Sequence, residues 1–385
     1  MRTPENTSSS FKIRSEADDV FLGSLTPCDR DTLFKCSQKN FPIALNLHFP
    51  KNINHDYPHL LTREISIYAH KLGERKALKT WLRGRPLKSL SAAEITEVTF
   101  LAATHFQMDE GNHSEYGFEC TVSDITENNL ALMKGLCFTT LRLNVDVSFA
   151  PKNTAILSAL NLIEQYKFQE CHYRLYTEGA RWSSLCGWVN YLVKSHPAII
   201  EIMGKGKDEN NAVTLNQMTE KMSQYAYVLI GDRFFVQNNH PLALLKQQGK
   251  LQYTPPWGAS HPNIKDWIGL GMGAIGRIGG AFYQNLRNEV EYVADLSEGR
   301  LPICCSGQHS NKNSQQQWKL VEQLICLHKI SMPPHKSRHP AAKKTEEILA
   351  ISCKNGWMTK QGSDFIMQSQ GLNHMHEICT ALQLS

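Results

Sequence analysis

Between Phe41 and Met203 the chain alternates two hydrophobic patterns. Short apolar runs at 43–49, 77–82, 117–122, 140–147, 170–176 and 198–203 have the length and β-branched character of strands. The stretches between them return apolar residues every three or four positions, which predicts helices over 58–72, 91–106, 127–134, 154–166 and 184–194. In the first, Leu60, Leu61, Glu64, Ile65 and Tyr68 share a face. The second start is fixed by Ser91 and Glu94, three apart, which form a capping-box pair; Gly135 stops the third. Six strand-helix units in regular order predict an α/β fold with a parallel sheet, curled as a (βα)6 partial barrel.

After residue 203 the regular alternation ends. A charged, turn-rich loop (204–211) leads into a predicted helix over 214–229, and 267–285 reads WIGLGMGAIGRIGGAFYQN. Six glycines among isoleucines and leucines describe a backbone that turns tightly against a core. Gly271, Gly273 and Gly276 spell G-x-G-x-x-G, but no strand is predicted ahead of them, which argues against a dinucleotide fingerprint. An amphipathic helix follows, reaching EGRLPI near Ile303; another is predicted over 315–329, and the tail has a further helix and a turn-rich end. The expected organisation is a mobile arm at 1–40, the barrel at 41–230, a glycine-rich region closing its mouth at 231–310, and a small C-terminal helical wing domain at 311–385.

Composition is that of a globular chain: 385 residues, 41% hydrophobic and 20% charged, ample for a large core. A net charge of +5 is diffuse. The one basic run, 333–344, reads as a solvated linker, so no nucleic-acid partner is expected. No apolar stretch is long enough to span a membrane and the N-terminus lacks a signal-peptide core, so the expected location is cytoplasmic. The 11 cysteines, scattered from Cys28 to Cys379, do not form a secreted disulfide framework.

The order GLGMGAIG, IGG, FYQN, then an amphipathic helix closing in EGRLPI, resembles the oxygen-independent coproporphyrinogen III oxidase family of the radical S-adenosylmethionine (SAM) superfamily, and GGAFYQN is similar to its haem-utilisation branch. The resemblance implies a barrel of radical-SAM type with a winged-helix-like C-terminal region. It also implies three cysteines spaced C-x-x-x-C-x-x-C after the first strand, holding a [4Fe-4S] cluster that cleaves SAM. The chain keeps a strand similar to the family's L-Y-V-H-I-P, Leu45 to Pro50, yet has no cysteine between Cys36 and Cys120. The family's G-G-G-T-P stands as Leu82-Arg83-Gly84-Arg85-Pro86. Its strand-three glutamate is kept as Glu119, its G-V-Q glycine and glutamine become Asn144 and Asp146, and a family aspartate aligns with Arg174.

A [4Fe-4S] cluster and SAM are therefore not expected. The expected function is that of a cluster-less relative that binds haem or a porphyrin in haem utilisation or biosynthesis without radical chemistry. The alternatives are a pseudoenzyme that partners an active paralogue or a haem-handling protein, and a working radical enzyme whose cluster uses Cys28, Cys36, Cys304 and Cys305. Strand ends at a barrel mouth carry the site, which nominates His48, Arg83, Arg85, Glu119, Asp146 and Arg174. The resemblance adds Gly271, Gly273, Arg277, Gln284 and Asn285. Arg83, Arg85, Arg174 and Arg277 would meet porphyrin carboxylates. His48 or Tyr173 inside the barrel, or His240 or His261 at its rim, would ligate haem iron. His55 with His59, and His374, His376, Glu377 and Cys379, have metal-like spacing; the vicinal pair Cys304-Cys305 has redox potential.

Overall fold

The computed structural model describes residues 32–35, 37, 40–50, 56–108, 114–147, 154–177, 180–203, 215–254, 258–260, 263–307, 312–332 and 340–383. Most of the N-terminal arm, the charged loop at 204–211 and the basic run up to 339 lie outside them. What is described of the arm includes a helical turn at Thr32–Lys35, with Leu33 buried, and Ser37 donating to Asp266 at 2.7 Å.

The alternating segments build β1 (Ile43–Phe49), α1 (Tyr57–Leu72), β2 (Ala77–Gly84), α2 (Ala92–His105), β3 (Glu115–Thr121), α3 (Glu127–Gly135), β4 (Thr140–Asp146), α4 (Thr154–Tyr166), β5 (Glu170–Tyr176), α5 (Trp182–Leu192) and β6 (Ile199–Met203). Strands β1 to β6 pair in parallel and in chain order. The capping box at α2 forms as its sequence predicts: Ser91 Oγ accepts from the Glu94 N–H and Glu94 accepts from the Ser91 N–H at 2.7 Å. Pro58 falls in the first turn of α1, where its missing N–H costs nothing, so it starts the helix rather than breaking it.

Three expectations beyond residue 203 are corrected. The helix over 214–229 is a shorter α6 (Leu215–Ser223), and the apolar run after it is a strand, β7 (Tyr227–Ile230), hairpinned to β8 (Phe234–Gln237); α7 (Pro241–Gln247) and an antiparallel pair of β9 (Gln252–Thr254) and β10 (Gly258–Ser260) follow. A strand does precede the glycines: β11 (Asp266–Leu270), which pairs in parallel with β1 as a seventh parallel strand. The Rossmann reading still fails, because the glycines lead into antiparallel β12 (Ile275–Ile278) and β13 (Ala281–Asn285) rather than a helix. The helix after them, α8 (Glu289–Ser297), ends early, and β14 (Ile303–Gly307) follows. The glycine-rich region thus extends the sheet outward from β1, and among the described residues twelve strands run in the order β14-β13-β12-β11-β1-β2-β3-β4-β5-β6-β8-β7.

Side chains alternate across each strand, and here the two faces differ in kind. Leu45, Leu47, Leu82, Phe118, Leu141, Leu143, Leu175 and Ile200 join Leu61, Ile65, Leu130, Ile163 and Leu185 of the helices in one apolar core. The opposite face is polar. A second core unites Phe234 and Val236 with α9 (Lys312–Leu327), α11 (Met375–Gln383) and a three-stranded antiparallel sheet of β15 (Lys329–Ser331), β16 (Met358–Gln361) and β17 (Asp364–Met367). Leu349 of α10 (Pro340–Lys354) joins the same core.

Candidate functional site

On the inner face the strand register lines up charged side chains. His48 lies beside Arg83, Glu119 beside Arg142, and Arg174 beside Glu201. Glu119 is the hub: its Oε1 accepts from Arg83 Nε at 3.1 Å, Arg142 at 3.2 Å and Arg174 at 3.0 Å, and its Oε2 accepts from the Gly84 N–H at 3.0 Å. Arg174 also donates to Glu201 at 2.7 Å, and Arg233 donates to the other oxygen of Glu201 at 2.9 Å and to Asp232 at 3.3 Å. Burial alone would push both glutamates up. The surrounding guanidinium groups, Arg174 first, overcome it and hold both carboxyls far below the usual range. Arg142 is held down at about 10, by burial and then by Arg174 close by.

Above the lattice, Arg85 donates to Thr121 Oγ1 at 3.3 Å and approaches Asp124 at 3.7 Å. Burial and the neighbouring Arg83 lower the His48 imidazole to about 4, so it is neutral at physiological pH. Below the lattice aromatic and cationic side chains pack on one another. The Arg142 guanidinium lies 4.3 Å from the Trp81 ring centroid and the His172 ring stacks on Trp81 at 5.7 Å. Gly117 leaves the space that the Trp81 ring occupies; a Cβ there would collide with it.

The residues nominated from the sequence thus divide. Arg83, Glu119 and Arg174 meet directly, with His48 and Arg85 adjoining, whereas Asp146 is exposed at the end of β4. The glycine-rich residues form a separate, internal clasp around Glu64 of α1. Gly271 N–H donates to Glu64 Oε2 at 2.7 Å, Tyr292 OH donates at 2.6 Å, and Asn285 Nδ2 donates to Oε1 at 2.7 Å and to the Gly271 carbonyl at 2.9 Å. Gly271, at φ +102°, has no room for a Cβ, which would strike the His48 carbonyl and the Tyr57 hydroxyl. Gly273 N–H donates to the Leu286 carbonyl and Gln284 Nε2 to the Gly273 carbonyl, at 2.8 and 3.1 Å. Arg277 pairs in register with Trp267, at the other end of the sheet from His48, and lies over the Phe282 ring.

Two axial-ligand candidates are misplaced by the sequence reading. Tyr173 faces the apolar layer, not the barrel interior, because it alternates with inward Arg174; its hydroxyl bonds Ser195 at 2.8 Å. His240 caps the helix Pro241–Gln247 through Nδ1 and faces Glu170 at 3.5 Å, at the N-terminal ends of the strands. His261 and His55 lie outside the described residues. His374 stacks on Trp357 at 4.2 Å and pairs with Glu377, while Cys379 is buried with its thiol pushed up. Among the described residues no group of three His, Cys, Asp or Glu could hold a metal. Cys304 Sγ rests on the Gln284 carbonyl at 3.3 Å.

Sequence reasoning missed Arg142, Glu201, Arg233 and the clasp carboxyl of Glu64. The signal for Glu201 was a lone charge inside an apolar strand, which needs a buried partner. For Arg142 it was inward parity with Asn144.

No protein-family model matches the chain. Over 323 residues it is 22% identical to the oxygen-independent coproporphyrinogen III oxidase of Pseudomonas aeruginosa, covering 76% of this chain and 70% of that one. It superposes on the coproporphyrinogen III oxidase of Escherichia coli, described as a radical SAM enzyme, with a TM-score of 0.80 and 16% identity over 94% of this chain and 95% of the other. The chain is a distant homologue of the first and has the mixed α/β fold, with its parallel sheet, of the second.

Proposed function

We propose that this chain is a cluster-free homologue that binds a carboxylated tetrapyrrole, haem or a porphyrin, over the C-terminal ends of its barrel strands, without radical chemistry. The observation that carries the reading is the lattice around Glu119, in which three guanidinium groups share one carboxylate. Among the described residues of the lattice four arginines, Arg83, Arg142, Arg174 and Arg233, meet three carboxylates, Glu119, Glu201 and Asp232. Its upper members reach solvent: the side chains of Arg83 and Arg85 are 14% and 28% exposed. Planar guanidinium groups at a water-poor site suit carboxylates. Both relatives are named as acting on coproporphyrinogen III, a tetracarboxylic tetrapyrrole. With Trp81, Arg142 and His172 packed below, a macrocycle would lie across the lattice, its acid arms toward Arg83 and Arg85.

An iron-sulfur cluster does not fit the donor set. The sequence contains no C-x-x-x-C-x-x-C and no cysteine from residue 37 to residue 119. Cys120 is buried, with Sγ toward the Arg142 carbonyl at 3.6 Å, and burial pushes its thiol far up, away from the thiolate a cluster needs. The resemblance sets Arg83 and Arg85 at the second glycine and the threonine of the family's G-G-G-T-P, a segment that meets SAM in that family.

Titration of coproporphyrin III and of haem with metal-free protein, followed at the Soret band, tests the ligand reading; saturation near one equivalent is expected. Anaerobic iron-sulfur reconstitution run beside it is expected to yield no cluster absorption, and a brown cluster-bearing protein would overturn the cluster-free reading. No Soret change at micromolar protein would overturn tetrapyrrole binding and leave the partner of an active paralogue as the reading to pursue.

A further inference from the structure

Below the Glu119 lattice the inner face leaves a small, partly open void of about 10 Å³ lined by Asn46, Lys79, Trp81, Arg83, Arg142 and Trp267. That is roughly the room of one water-sized guest. Asn46 is 97% buried, its amide nitrogen and oxygen both lack a hydrogen-bond partner among the described residues, and its position on β1 directs it into this space. A buried, unsatisfied primary amide costs about 1–3 kcal/mol, so a guest that bonds it is favoured.

The lining decides what kind of guest. It is rich in donors: two guanidinium groups, an ammonium, the Trp267 indole and the Asn46 amide. Among the described residues its single side-chain acceptor is the Asn46 oxygen, whichever way the amide is turned. The nearby carboxylates are already engaged. Glu115 accepts from Trp81 Nε1 at 2.7 Å and from Lys79 at 2.8 Å, and Glu119 accepts from three arginines and the Gly84 N–H. Water must donate two hydrogens as well as accept, and this lining offers little to receive them. An acceptor-only guest matches it, and three cationic side chains with two shared carboxylates favour one negative charge.

We propose that the void is a binding site for a single monoatomic anion, a halide such as chloride, held by Asn46, Lys79, Arg83 and Arg142 inside the barrel. The site shares Arg83 with the tetrapyrrole reading but does not depend on it. Its occupant relieves the crowding of Arg83, Arg142 and Arg174 around one carboxylate and completes the hydrogen bonding of Asn46.

Crystals of the full chain soaked in bromide test the proposal through anomalous diffraction at the bromine edge. An anomalous peak in the void, within hydrogen-bonding distance of the Asn46 amide and the Arg142 guanidinium, is expected. Ordered water density there with no anomalous signal would overturn it. In solution, replacing gluconate by chloride at constant ionic strength is expected to raise Tm saturably, as binding to the folded state alone requires. Asn46→Leu, which fills the void with an apolar side chain, is expected to abolish that chloride dependence. An equal response in wild type and N46L would overturn the assignment of the site, and should N46L not fold, the diffraction result on wild type decides alone.

Discussion

Two buried glutamates on either side of β1 have been pushed in opposite directions. Glu119, among arginines, is held ionised far below the ordinary range; Glu64, among neutral donors, is raised by burial to about 7 despite bonds from Tyr292, Gly271 and Asn285. Hydrogen bonds from neutral groups do not outweigh the loss of water around a carboxylate, whereas full positive charges do. The same residue type therefore builds a charge lattice that faces the barrel mouth in one place and an internal clasp that fastens the glycine-rich strands to α1 in the other.

The largest effect is expected at the lattice. Glu119→Gln leaves Arg83, Arg142 and Arg174 crowded without their shared counter-charge, a loss on the order of 3–5 kcal/mol by denaturant unfolding. If charge crowding is the cause, adding Arg142→Met to E119Q restores part of that stability; a double mutant weaker than E119Q would show that packing around Trp81 dominates instead. Next comes the clasp. Asn285→Ala removes donors to Glu64 Oε1 and to the Gly271 carbonyl, and about 2 kcal/mol is expected to be lost in the same assay.

Stability against pH separates the two carboxyls. The Glu64 pKa rises from 4.5 to about 7 on folding, so the folded state binds the extra proton between those values. Its contribution is fully present below 4.5 and is lost as pH rises through 7, an effect of up to about 3 kcal/mol. Glu119 does the reverse: its contribution is present above 4.5 and is lost on acidification below it. Urea midpoints of wild type and Glu64→Gln measured from pH 4.5 to 8 are expected to differ in slope, with the falling component absent from the variant; parallel curves would contradict the raised pKa. The smallest effect on stability is expected for Arg85→Ala, whose partly exposed guanidinium approaches the buried Asp124 only at 3.7 Å, a contribution of about 1 kcal/mol, while tetrapyrrole affinity falls at least tenfold.

How much of this was legible depended on whether the signal was local. β1, α4 and β5 occupy the residues their periodicity marks, and the α2 cap follows from Ser91 and Glu94 alone. The apolar run 227–230 is too short for periodicity to tell strand from helix, and after Met218 and Met222 it read as the same helix continuing. β11 was hidden because its residues merge with the glycines that follow. Of the site, Arg83, Glu119 and Arg174 came from strand-end positions, but their shared partner geometry, and Arg142 and Arg233 with it, depends on register across β2 to β8. The clasp is the extreme case: Glu64 and Asn285 are 221 positions apart, so the motif's glycines suggested a ligand while their actual partner is the protein itself.

The measurement that most directly tests the central claim, an arginine-rich mouth that recognises tetrapyrrole carboxylates, is a Soret titration of wild-type protein with coproporphyrin III and with its tetramethyl ester. The two share a macrocycle and differ in charge. The account predicts saturable binding of the acid, at least tenfold tighter than the ester and weakening as salt is raised. Equal affinity for both, or binding of neither, would contradict it.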